Sequence, residues 1–237
     1  MYKEKLKRLI ELRMSKIPHG VDLEKFYPIG NEKNQTVTSE TFKFLANKGL
    51  RNLEDRGGIQ YLIKAYLEEF TESDKVELIL KINSAYGIPN LLEMFPNLKK
   101  NGIPKVTYIH ESYTDKQLNE LYNQCDVFVS PTRSEAFNLP CLESLACGKP
   151  VLTTAYGGQT DFIDNECGWL IDYDLVDAPE TEYEEVKWAN IKIEDLKKQL
   201  RWCFINQDIC KAMKERCLSM SKCLTWDNCA KKIKELV

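Results

Sequence analysis

The sequence predicts an α/β fold: a parallel sheet with helices on both faces, closed by further helices at the C-terminal end. Three observations predict it. Between residues 41 and 171, short apolar runs alternate with stretches of helical periodicity, the pattern of strands joined by crossover helices. The stretch from Asp126 to Thr154 spells one complete unit of strand, loop, helix and strand. From about residue 193 to residue 236 the pattern is helical, with no strand in it.

The elements follow in order. Residues 1–14 read as a short basic amphipathic helix, a loop from Ile17 to Asp22 leads to Phe26-Tyr27-Pro28, and residues 31–40 read as a polar turn. Thr41–Ala46 is the first expected strand. Gly58–Phe70 is expected to be helical because Ile59, Leu62, Ile63, Tyr66 and Phe70 fall on one helix face. Val76–Ile82 is the next strand, Pro89–Phe95 a short helix and Val106–Ile109 the third strand. Thr114 with Gln117 spells a capping box that opens a helix running to Gln124. Asp126–Ser130, Val151–Thr154 and Gly168–Ile171 supply three more strands, with a helix over Pro140–Cys147 between the first two. Residues 173–190 are acidic and read as a loop, and residues 193–236 read as two or three helices.

Composition excludes several classes. A chain of 237 residues with 43% hydrophobic and 29% charged content is ordinary for a globular protein. A net charge of −3 gives no electrostatic footprint for nucleic acid. No apolar run approaches the roughly 20 residues that span a bilayer, and the N-terminal segment lacks the apolar core of a signal peptide. The nine cysteines are odd in number and form no CxxC pair. Cys203, Cys210 and Cys217 recur every seven residues, which reads as one buried helix face in a reducing cytoplasm.

The chemistry concentrates between Asp126 and Thr154. Glu135 lies in the loop after a strand, and Glu143 follows eight residues later on the helix that opens at Pro140. Proline suits a first helical turn, and Gly148 with Pro150 closes the element. Two carboxylates are thereby brought to one end of the sheet, beside a helix N-terminus whose free N–H groups and dipole favour phosphate. That combination suits a nucleotide-sugar site. Each carboxylate also has a plain alternative, Glu143 as a partner of the helix dipole and Glu135 as a solvated loop residue.

The segment from Glu135 to Pro140, followed by Glu143 to Val151, resembles the E-x-F-G-L-x-x-x-E-A-x-A-x-G-x-P-V signature of retaining GT-B glycosyltransferases, and within them glycosyltransferase family 4. Other matches occur in the right order. Pro18-His19-Gly20-Val21-Asp22 with Phe26-Tyr27-Pro28 resembles the segment that leads into the family's donor domain. Arg56-Gly57-Gly58 with Tyr61-Leu62-Ile63-Lys64-Ala65-Tyr66 resembles a family helix, and Thr225-Trp226-Asp227 the start of its closing helix. The resemblance covers nearly the whole chain.

It implies one Rossmann-like half of a GT-B fold. Residues 17–237 would be the nucleotide-sugar donor-binding domain, including C-terminal helices from about 193. Residues 1–16 would be a helix left from, or packing against, a missing acceptor domain. The resemblance places Glu135 on hydroxyls of the donor sugar, and the backbone N–H groups of Phe137, Asn138 and Leu139 on the diphosphate. It places Glu143 on the ribose, Arg56 and Lys48 on the diphosphate as its two basic positions, and the base beside Ile109–Tyr113. Asn47 and Asn138 stand where the family favours glycine; asparagine tolerates left-handed backbone angles.

The implied reaction is hexose transfer with retention, from a nucleotide-diphosphate sugar to an acceptor glycan or lipid, with no cofactor and no metal. The implied partners are the nucleotide sugar, the acceptor and the absent N-terminal domain or a partner subunit. The implied location is the cytoplasm. The basic residues of the opening helix fit contact with an anionic membrane surface and an ordinary exposed face equally well. Asp172-Tyr173-Asp174 resembles the metal-binding D-x-D of the other large glycosyltransferase fold, but too few converging oxygens accompany it. His110 is expected in a pocket wall and His19 in a structural role. Two rival readings remain, a non-catalytic sugar-nucleotide-binding or interaction module and a related sugar-nucleotide epimerase.

Overall fold

The computed structural model describes residues 16–30, 41–50, 55–83, 90–179 and 186–236. The helix expected over residues 1–14 and the turn over 31–40 lie outside the described residues.

A six-stranded sheet forms the centre, with strand order β3-β2-β1-β4-β5-β6 and every pairing parallel. The strands are β1 (Phe42–Lys48), β2 (Val76–Ile82), β3 (Lys105–Ile109), β4 (Val127–Ser130), β5 (Val151–Thr154) and β6 (Gly168–Ile171). Between them run α1 (Ile59–Glu69), α2 (Leu91–Met94), α3 (Asp115–Gln124) and α4 (Leu139–Ala146). Every residue of β2, β4 and β5 is buried. Burial on both faces is why these strands read as largely apolar runs, with Glu77 and Lys81 of β2 as charged exceptions.

Each face of the sheet has its own core. Phe44, Leu62, Tyr66, Leu78, Leu80 and Val129 pack on one side, and Leu45, Tyr122, Phe128, Leu142 and Leu145 on the other. The capping box of α3 is complete, with the Thr114 hydroxyl accepting from the Gln117 N–H and the Gln117 side chain accepting from the Thr114 N–H. Together those two bonds satisfy donors that the first turn leaves open.

Three expectations are corrected. Residues 173–190 contain an antiparallel hairpin of β7 (Tyr173–Asp177) and β8 (Lys187–Ile191). Acidic composition hid it: in β8 only Ala189 and Ile191 are buried, and that alternation is too short to stand out beside the charges. Residues 193–236 form four helices and not two or three: α5 (Ile193–Ile205), α6 (Gln207–Ala212), α7 (Lys214–Cys223) and α8 (Trp226–Leu236). The breaks at Asn206 and Met213 are single residues without glycine or proline, so no punctuation marked them. Cys203, Cys210 and Cys217 therefore lie on three helices and not on one face. All three are buried and free, as small hydrophobes commonly are.

Asp172 and Asp174 both pair with Lys192, at 2.7 and 3.6 Å. Among the described residues, no helix is long and apolar enough to cross a membrane.

Candidate functional site

Strand order reverses between β1 and β4, because the chain leaves β1 towards β2 on one side and leaves β4 towards β5 on the other. Crossovers diverging from neighbouring strands open a crevice at their carboxyl ends, where ligands of such sheets bind. Lys48 ends β1 at that crevice, and the loop carrying Glu135 begins there after Ser130, the last residue of β4.

These elements meet directly. Lys48 Nζ donates to Glu135 Oε1 and to Asn138 Oδ1, each at 2.9 Å. Asn138 Nδ2 in turn donates to Ser130 Oγ at 2.9 Å. The Lys48 side chain is 5% exposed and that of Glu135 is 22% exposed. The ammonium is thus withdrawn from solvent, while the carboxylate keeps a face open. Asn138 sits at φ 74° and ψ 61° immediately before α4, a left-handed conformation that asparagine supports better than most residues.

A second cluster is built on Asn47, the residue before Lys48 on β1. Asn47 Nδ2 donates to the Tyr122 hydroxyl at 3.3 Å, and that hydroxyl donates to Glu143 Oε2 at 2.8 Å. Burial raises the pKa of Glu143, and the Tyr122 hydrogen bond opposes that rise. Burial and the Glu143 charge together hold Tyr122 well above the ordinary phenol range. Ile109, Lys81 and Asn47 are in register across β3, β2 and β1, so the end of β3 shares a row with this cluster.

The remaining expected residues take different positions. Arg56 is exposed, and its Nη1 donates to the Ser134 carbonyl at 3.4 Å. Its own carbonyl accepts from the Arg133 N–H at 2.8 Å, so its backbone is tied to the Glu135 loop. The Phe137 ring packs between His19 and Phe162, with centroids at 5.0 Å on each side. His19 also stacks on Trp226, linking the entry loop to α8. Leu139 opens α4, whose start has no side-chain cap. Pro140 has no N–H and the Cys141 N–H donates to the Asn138 carbonyl at 3.0 Å, so the first turn offers an anion chiefly the Leu139 N–H and the positive end of the helix dipole. The buried Nδ1 of His110 has no partner among the described residues.

Two glycines allow the loop to lie so close. A Cβ on Gly58 would stand 1.7 Å from the Pro131 carbonyl oxygen, and one on Gly158 would stand 1.9 Å from that of Ala136. Gly58 also has φ +77°.

Three contributors escaped the sequence reading. Tyr122 lies within the α3 helix and carries no motif of its own. Arg133 lies between the recognised motif residues and carries no motif of its own. Asp55 is 4% exposed, with Oδ2 accepting from the Gln60 N–H and Oδ1 without a hydrogen-bond partner among the described residues. Burial pushes its pKa up to about 6. Its place just before Arg56 was the one available signal.

An open parallel sheet with this crevice and helical closure is a Rossmann-like half of a GT-B fold, and solved glycosyltransferase structures share it. Sucrose-phosphate synthase from Thermosynechococcus elongatus superposes with a TM-score of 0.67 at 20% identity, over 93% of this chain and 51% of that one. The C-terminal domain of a group 1 glycosyl transferase, LpcC from Francisella tularensis, gives a TM-score of 0.61 at 17% identity, over 86% of this chain and 97% of that one. Anabaena HepE in complex with UDP-glucose gives 0.66 at 17% identity, over 91% and 55%.

Residues 33–186 match the family described as glycosyl transferases group 1, and the chain belongs to that family. Among curated relatives, D-inositol 3-phosphate glycosyltransferase of Arthrobacter sp. is 28% identical over 71% of this chain and 41% of its own length. A probable sucrose-phosphate synthase of Thermosipho melanesiensis is 23% identical over 93% of this chain and 46% of its own. The chain thus spans less than half the length of these two relatives.

Proposed function

We propose that this chain is the donor-binding half of a retaining glycosyltransferase, moving a hexose from a nucleotide-diphosphate sugar to an acceptor glycan or lipid. The observation that carries this reading is the contact of Lys48 with Glu135 and Asn138 in the crevice at the sheet's carboxyl end. Family membership supports it, as do the curated relatives, whose names describe glycosyl transfer and sucrose-phosphate synthesis. HepE is a fold neighbour solved with UDP-glucose.

In this reading the diphosphate lies over the start of α4, between Lys48 and Arg56. Arginine offers a bidentate fork and lysine a point charge. The open face of Glu135 accepts hydrogen bonds from sugar hydroxyls, Glu143 accepts from the ribose, and the base lies beside Ile109. The acceptor hydroxyl attacks the anomeric carbon on the face that the phosphate leaves. The bond from that carbon to the phosphate oxygen breaks, and the departing phosphate oxygen takes the acceptor's proton. Fixed cations and helix-end N–H groups stabilise the charge gathering on the leaving group. They do so without a metal ion, and Asp172 and Asp174 share an ion pair with Lys192. The second wall of the cleft, with most of the acceptor contacts, belongs to another domain or a partner subunit in the cytoplasm.

A second reading is a non-catalytic sugar-nucleotide-binding module, in which the same crevice holds the donor without transfer. Calorimetry with a panel of nucleoside diphosphates and nucleotide sugars tests the first step. Binding of at least one sugar nucleotide is expected, and no binding by a folded chain would overturn the proposal. Turnover assays with and without the acceptor half then separate the two readings. Activity that requires manganese would return Asp172 and Asp174 to consideration.

A further inference from the structure

The β7–β8 hairpin is not a free excursion, because it grips the Glu135 loop at two points. On one side Arg133 exchanges hydrogen bonds with Ala189 of β8. The Ala189 N–H donates to the Arg133 carbonyl at 2.8 Å, and Arg133 Nε donates to the Ala189 carbonyl at 3.0 Å. The guanidinium also lies over the rings of Tyr61 and Trp188, with centroids at 5.6 and 5.0 Å. Tyr61 extends the same seam, its hydroxyl donating to Asn190 Oδ1 at 2.8 Å.

On the other side the link runs through the turn after β5. The Tyr156 hydroxyl donates to the Lys187 carbonyl at 3.1 Å, and the Tyr156 and Tyr173 rings pack at 5.3 Å. Two residues on, the Gly158 N–H donates to the Glu135 carbonyl at 3.0 Å. The loop from Arg133 to Glu135 is therefore closed into a ring by the hairpin, with the Arg56 carbonyl holding Arg133 from a third direction. Glu135 hangs from the centre of that ring. Glu143 and Tyr122 bond to each other and to Asn47, and make none of the hydrogen bonds of this ring.

We propose that the hairpin is a specificity element for the transferred sugar, and that Arg133 is the positioning residue through which it sets Glu135. This deepens the donor-binding reading and rests on it. The consequence is selective. Loosening the Arg133 side chain shifts the carboxylate that faces the sugar more than it moves the diphosphate's cations, because Lys48 keeps its bond to Asn138 and Arg56 is tied to Arg133 through backbone atoms that a side-chain substitution leaves in place. A small displacement of a positioned group lowers affinity strongly only for the ligand that uses it. Lysine cannot replace Arg133, since it lacks both the in-plane Nε donor and the flat surface that packs on the rings.

The test compares two ligands, a nucleotide sugar that the wild-type chain binds and its parent nucleoside diphosphate, titrated calorimetrically into wild type, Arg133→Ala, Arg133→Lys and Tyr61→Phe. Arg133→Ala is expected to weaken the nucleotide sugar by about tenfold and the diphosphate by less than about twofold. Arg133→Lys should not restore the loss. Tyr61→Phe, which keeps the ring and removes only the bond to Asn190, should move the same ratio in the same direction by less, and it serves if Arg133→Ala does not fold. Equal weakening of both ligands, or rescue by lysine, would overturn the inference and leave the donor reading standing. No binding of either ligand by the wild-type chain would overturn both.

Discussion

Lys48 and Glu135 lie 87 residues apart in sequence and meet at 2.9 Å at the point where the sheet reverses its strand order. The pair joins the end of β1 to the loop after β4, the two positions from which the crossovers diverge. A lysine withdrawn from water requires a compensating acceptor, and Glu135 with Asn138 supplies it. The contact is therefore both a structural tie and the point where a sugar would meet the carboxylate.

Glu135→Ala leaves the Lys48 ammonium with one amide oxygen. A loss of about 2 kcal/mol is expected, less than for a fully buried pair because Glu135 is part-exposed. Glu135→Gln keeps an acceptor oxygen and should cost less than about 1 kcal/mol. Urea denaturation measures both, and equal losses would show that the ion pair contributes through something other than this hydrogen bond.

Tyr122→Phe removes the hydroxyl that donates to Glu143 and accepts from Asn47. Burial already raises the Glu143 pKa and Tyr122 opposes the rise, so the substitution raises it further. A protonated Glu143 loses part of its capacity to accept from ribose. Nucleoside diphosphate affinity in the variant should then fall more at about pH 6 than at about pH 8, relative to wild type. A loss independent of pH would remove Tyr122 from the titration of Glu143.

Asp55 gives stability an unusual slope. Burial pushes its folded pKa up to about 6, above the ordinary aspartate value of 3.8, so the folded state keeps a proton that the unfolded chain has released. Between those values the unfolded state binds fewer protons, and stability falls as pH rises from about 4 through about 6, by up to about 3 kcal/mol. Asp55→Asn keeps an oxygen for the Gln60 N–H and should flatten that window. Thermal melts across the range report it, and an unchanged slope would assign it to other groups.

Asn138 combines a positive φ with two side-chain hydrogen bonds. Asn138→Ala loses both bonds and strains the backbone, for an expected cost of about 3 kcal/mol. Asn138→Gly loses the bonds without the strain and should cost about 1 kcal/mol less. Denaturant midpoints compare them, and an alanine variant as stable as the glycine one would mean that the loop relaxes out of the left-handed region.

Much of the fold was legible in the sequence. Val76–Ile82 and Val151–Thr154 were legible as short, largely apolar runs whose every residue is buried, and Gly168–Ile171 as the apolar run Trp169-Leu170-Ile171 on a part-buried edge strand. The α3 start was legible because its capping is encoded within four residues. The hairpin was not, because its strands bury little of their own surface and are held by Arg133, Tyr61 and Tyr156 from elsewhere in the chain. Nor were the joints at Asn206 and Met213, where packing redirects a helical chain without special residues.

The sequence by itself determined the alternation of strands and helices, the family, and the residue types at the crevice, because those depend on local periodicity and on a motif contiguous from Glu135 to Val151. Only the tertiary structure decided what those residues touch. Lys48 turned from a loosely placed basic position into the partner of Glu135 and Asn138. Glu143 acquired Tyr122, and Glu135 acquired a hairpin around its loop. Such contacts join residues distant in sequence, and their geometry is set by strand order and by the close approach at Gly58 and Gly158, which no local pattern records.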